Sequence, residues 1–71
     1  MKYAVGDRVV NTKTGQQGIV IIANEQYREE RLEEIAIEWE TGKCTVFARS
    51  GPRKQKPFSI KHVEPMRRAD A

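Results

Sequence analysis

The sequence predicts one all-β domain: five short antiparallel strands closing into a small, highly curved barrel. Three observations carry this. Apolar residues come in short β-branched runs, chiefly Ile19-Val20-Ile21-Ile22-Ala23, which suit a pleated, buried surface. Ile35, Ile37 and Trp39 alternate with Ala36, Glu38 and Glu40 at period two, as in a strand with one wet face. Polar, glycine-bearing stretches separate these runs. In a chain of 71 residues, such strands bury enough apolar surface only if the sheet closes on itself, which also removes exposed edges.

Each element follows in order. Gly6-Asp7 marks a turn before a first strand in Arg8-Val9-Val10-Asn11. Thr12 to Gly18 is a polar loop feeding the isoleucine-rich second strand. Residues 24–34 are heavily charged, and their only bulky apolar residues, Tyr27 and Leu32, are five apart, which makes a poor helical stripe. They read as a long exposed hairpin connection holding at most one helical turn, with Asn24 able to cap it. The third strand covers 35–40, and Thr41-Gly42 is a tight turn. Lys43 to Ala48 is the fourth strand, with Cys44, Val46 and Ala48 on one face and Thr45 and Phe47 on the other. Arg49 to Pro57 is a basic loop. Ser59 then caps a single 3₁₀ turn, Ile60 and Val63 reach the core, and a short closing strand ends at Pro65. The domain thus spans 1–65, and 66–71 form a flexible tail.

Val5-Gly6-Asp7-Arg8-Val9-Val10 followed by Gly15-Gln16-Gln17-Gly18-Ile19-Val20 resembles the opening of the KOW and Tudor-like group of SH3-like small barrels. Ile37 to Lys43 is similar to that group's middle hairpin, and Ile60 to Pro65 to its 3₁₀ turn and last strand, so the likeness covers about residues 3–65. In this reading Gly6 and Gly18 stand where the chain bends sharply or takes positive φ, and Asp7 bonds nearby backbone amides. Similar openings occur in CarD-type polymerase-interacting domains, in the C-terminal Tudor-like domain of UvrD/PcrA-type helicases, in NusG-type KOW domains and in the plasmid-encoded type II dihydrofolate reductase. One fold hosts several functions, so the resemblance implies a fold first. The reductase carries a Val-Gln-Ile-Tyr run in its pore strand; Thr45-Val46-Phe47-Ala48 stands here instead, which makes an oligomeric reductase a remote alternative.

Composition narrows the function. Hydrophobic residues at 38% and charged residues at 32% suit a soluble globular domain. No apolar run approaches the roughly 20 residues of a membrane span, and no signal-peptide core follows Met1, so a cytoplasmic protein without a membrane partner is expected. The one cysteine, Cys44, makes no internal disulfide and no Cys-pair metal site. His62 is the one histidine and has no evident acid–base partner. Gly15-Gln16-Gln17-Gly18 leads into a strand, unlike a phosphate-binding loop. The expectation is a binding module with no catalytic residue, cofactor or metal.

Charge is unevenly spread. Of ten acidic residues seven lie in 25–40, and of thirteen basic residues eight lie in 43–68. The expected partner is nucleic acid, or a nucleic-acid-processing protein such as RNA polymerase. Lys43, Arg49, Arg53, Lys54, Lys56 and Lys61 would supply charge, with Phe47, Phe58 and Trp39 as aromatic contacts. The glutamate-rich segment would repel a nucleic acid lying along it. A protein–protein adaptor or inhibitor using the charged 24–34 hairpin is therefore the alternative. Tyr3, Tyr27, Trp39, Phe47 and Phe58 do not show the spacing of an aromatic cage for a methylated cation. The oligomeric state is left open.

Overall fold

The structure, a computed structural model, describes residues 3–52, 54, 58 and 60–66. Five strands, β1 (Arg8–Asn11), β2 (Gln17–Tyr27), β3 (Glu30–Trp39), β4 (Cys44–Pro52) and β5 (Val63–Pro65), form one antiparallel sheet in the order β4-β3-β2-β1-β5. The all-β expectation holds, but closure does not: β4 and β5 are the two edges and do not pair. No described residue is helical, so no helix among them is long and apolar enough to cross a membrane.

Three elements differ from the sequence reading. Residues 24–34 are not a loop: β2 runs to Tyr27, β3 starts at Glu30, and only Arg28-Glu29 connect them. Alternation there is carried by polar residues, with Glu25, Tyr27, Arg31 and Glu33 on one face and Asn24, Gln26, Leu32 and Glu34 on the other. The fourth strand likewise continues through Arg49 to Pro52, the first part of the expected basic loop. Before β5 the described residues form a turn at Lys61-His62 rather than a 3₁₀ segment, with exposed His62 at φ 64°. Its carbonyl accepts the Thr12 N–H at 2.8 Å. The proposed cap Ser59 and the tail residues 67–71 lie outside the described residues.

One face of the sheet carries the core. Val9, Val20, Ile35, Ile37, Trp39 and Val63 are buried there with Tyr3 and Ile60 from the flanking segments, and Ala23, Phe47 and Phe58 pack against them. The Tyr3 hydroxyl donates to the Val63 carbonyl at 2.9 Å, tying the chain's first described residue to its last strand. Burial, and secondarily the charge of Glu64, raises the Tyr3 phenol above 10.0, which keeps the proton that this bond requires.

The isoleucine run is a strand, as expected, but it is not buried as a block. Register slips between Val20 and Ile22, a β-bulge that sets Val20 against Ile37 and Ile22 against Ala36. Val20 faces the core, while Ile19, Ile21 and Ile22 stay 44%, 41% and 37% exposed. Before the bulge Gly18 packs tightly: a Cβ there would lie 2.7 Å from Ile37 Cγ2 and 2.8 Å from Trp39 Cε3. Its φ is not positive, so glycine is required by close approach and not, as at Gly6 (φ 95°), by backbone conformation. Gly18→Ala should force both core side chains off their positions and cost about 1–3 kcal/mol in urea unfolding. A cost below about 0.5 kcal/mol would show that the two side chains move freely. The Asp7 expectation is met, since Asp7 Oδ2 accepts the Ala4 N–H at 2.9 Å.

Candidate partner-binding surfaces

The far half of the β2–β3–β4 hairpin face is built on a buried carboxylate. Glu33 is 1% exposed and lies on the core side of β3. Its Oε1 meets Arg31 Nη2 at 2.8 Å, and its Oε2 accepts from Arg49 Nη2 at 3.0 Å. The Tyr27 hydroxyl donates to Oε1 at 3.3 Å and accepts from Arg31 Nη2 at 3.3 Å. Arg31 stacks over the Tyr27 ring at 5.1 Å and Arg49 over the Phe58 ring at 5.4 Å. The hydrogen bond to Tyr27 chiefly, and the charge of Glu33 to a lesser degree, raise the Arg31 pKa above its ordinary value. These contacts replace apolar packing where the strand sequence is polar.

This arrangement changes the expected site. Arg49 is not a free loop cation: it lies on β4, half-buried, against Glu33. Phe58 is half-buried beneath it, and Phe47 is half-buried against the core. Trp39 is a core residue whose Nε1 donates to Thr45 Oγ1 at 3.0 Å. None of these rings is an open stacking platform. Lys43, Lys54 and Lys61 are exposed, but Lys43 and Lys54 flank β4 at opposite ends, and a nine-residue strand spans roughly 30 Å. Arg53 and Lys56 lie outside the described residues. Among the described residues, the expected cations are thus not gathered into one compact basic face.

A concave apolar site lies elsewhere, at the junction of β1, β2 and the end of β3. This groove encloses about 430 Å³. Gly18 and Trp39 line it along the core, Ile19, Ile21 and Met66 supply apolar surface, and Glu38 and Glu40 contribute carboxylates opposed by one guanidinium, Arg8. Ile19 and Ile21 face outward here by the ordinary alternation about buried Val20, and the bulge adds Ile22 to the same outer side. The sequence reading named Trp39 but missed the rest, having counted the isoleucines as core.

The chain matches no protein-family profile, no curated protein and no solved structure.

Proposed function

We propose that this chain is a cytoplasmic, non-enzymatic binding module of the SH3-like type that docks a protein segment through the Trp39 groove. The observation that carries this reading is the convergence of exposed Ile19 and Ile21 with Met66 on one concave site. Such a site suits an apolar anchor side chain. The two carboxylates Glu38 and Glu40 against one Arg8 favour a segment whose anchor is flanked by lysine or arginine. Five antiparallel strands, with β5 returning beside β1 and β2 bent at its bulge, support the SH3-like assignment. The free, exposed thiol of Cys44 suits a reducing compartment. Nucleic acid is the second reading, resting on the net charge of +3 and on exposed Lys43, Lys54 and Lys61.

An array of short peptides, each with one Leu, Phe or Trp flanked by Lys/Arg or by Asp/Glu, separates the outcomes. The basic set should be captured, and Ile19→Glu or the pair Glu38→Lys and Glu40→Lys should weaken that capture at least tenfold. Equal capture of both sets would overturn the groove. Labelled single- and double-stranded DNA and RNA titrated at low salt test the second reading. Binding that falls steeply with salt and is lost with Lys43, Lys54 and Lys61 changed to Gln would put that reading first.

A further inference from the structure

We propose that the open edge of β4 pairs with β4 of a second copy of this chain, antiparallel and centred on Phe47, joining two five-stranded sheets into one. The Trp39 N–H donates to the Lys43 carbonyl at 2.8 Å, which fixes the alternation along the β3–β4 ladder. Odd-numbered β4 residues bond inward to β3. The N–H and C=O groups of Cys44, Val46, Ala48 and Ser50 therefore point to the free side. No described residue pairs with them.

Exposed edges are ordinarily guarded by an outward lysine, a proline or a bulge. Here the run Cys44–Ser50 carries none: its single charge, Arg49, is turned to the core side against Glu33, and Pro52 comes only at the strand's end. The β3–β4 register has no irregularity that would twist the edge away. The outer surface of the edge is apolar and small. Val46 is 58% exposed, and Ala36 beside it is 1% exposed, enclosed between Ile22 and Val46 on the neighbouring strands.

The charge pattern admits a second copy in this register. With Phe47 opposite its symmetry mate, Val46 faces Ala48 and Cys44 faces Ser50 on the outer side, and Thr45 faces Arg49 on the inner side. No like charges stand opposite each other. The Ile22–Ala36–Val46 row continues into Ala48 of the second copy, so the apolar stripe crosses the junction. Shifting the centre to Val46 would set Lys43 against Arg49 twice, a like-charge contact that disfavours that register. An isologous two-fold pairing of this kind is the commonest form of soluble dimer. The groove at Trp39 opens near β1 and does not use this edge, so either proposal can fail alone.

Sedimentation of the full chain over a range of concentrations should show a monomer–dimer equilibrium, and Val46→Lys should weaken it at least tenfold. Thermal unfolding of dilute Val46→Lys should match the parent, because Val46 is exposed within one copy. Ser50→Cys should give a covalent dimer through Cys44 on mild oxidation, while Ala48→Cys should not. Within one chain positions 44 and 50 are about 20 Å apart and cannot bridge. A monomer at all concentrations, a dimer indifferent to Val46→Lys, or crosslinking through Ala48→Cys in place of Ser50→Cys would each overturn the proposal.

Discussion

Glu33→Ala is expected to cost about 3 kcal/mol and to move the urea unfolding midpoint of the chain well down. Removing one member of a buried ion cluster leaves the remaining charges without compensation, which costs about 3–5 kcal/mol when they are fully buried. The lower end applies here because the Arg49 side chain is 29% exposed and keeps some hydration. Domains are stable by about 0.05–0.15 kcal/mol per residue, so a loss of this size removes between roughly 30% and 85% of what a chain of this length has. The fluorescence of Trp39 during urea unfolding reads the change directly. The combination Arg31→Met, Glu33→Leu and Arg49→Met should refold, since an apolar replacement of the whole cluster avoids its desolvation cost. A Glu33→Ala chain within about 1 kcal/mol of the parent would mean that water already reaches Arg31 and Arg49, and that this half of the hairpin is held by backbone pairing alone.

The same cluster explains which parts of the fold were legible in the sequence. Ile35, Ile37 and Trp39 alternate with clear polarity, and the strand, its face and the Thr41-Gly42 turn that ends it all follow from that pattern. Cys44 to Ala48 was legible in the same way, face by face. Residues 24–34 were not, because their inward positions are Glu25, Tyr27, Arg31 and Glu33, and a hydrophobicity pattern cannot tell an inward glutamate paired with two arginines from a solvated one. The basic loop failed for the matching reason: Arg49 is the other half of that pair and continues β4. At Ile19–Ile22 the pattern misled in the opposite direction. A run of β-branched residues marks a strand, but a single inserted residue at the bulge decides which of them face the core, and composition carries no trace of it. The closed sheet was inferred from the need to hide edges. An open β4 edge meets that need only if something other than the described residues covers it.

Trp39→Ala should be the most damaging change on the other half of the sheet, at about 3–5 kcal/mol. The ring packs beside Gly18, where the absence of a Cβ allows it to lie against the β2 backbone, and its Nε1 holds the Thr45 hydroxyl across the β3–β4 ladder. Deleting it opens a cavity beside a glycine that has no side chain to move in, so little relaxation is available. Circular dichroism during urea unfolding is the readout, since the variant has no tryptophan. Trp39→Phe separates the two contributions. It keeps much of the ring contact with Gly18 and loses the bond to Thr45, for an expected cost of about 1–2 kcal/mol. Because Trp39 also lines the groove, Trp39→Phe gives a folded chain in which capture of the basic, apolar peptides can be measured. Weakened capture with the fold intact would place the indole in contact with the partner. Unchanged capture would assign the indole to the core and leave recognition to Ile19, Ile21 and the carboxylates of Glu38 and Glu40.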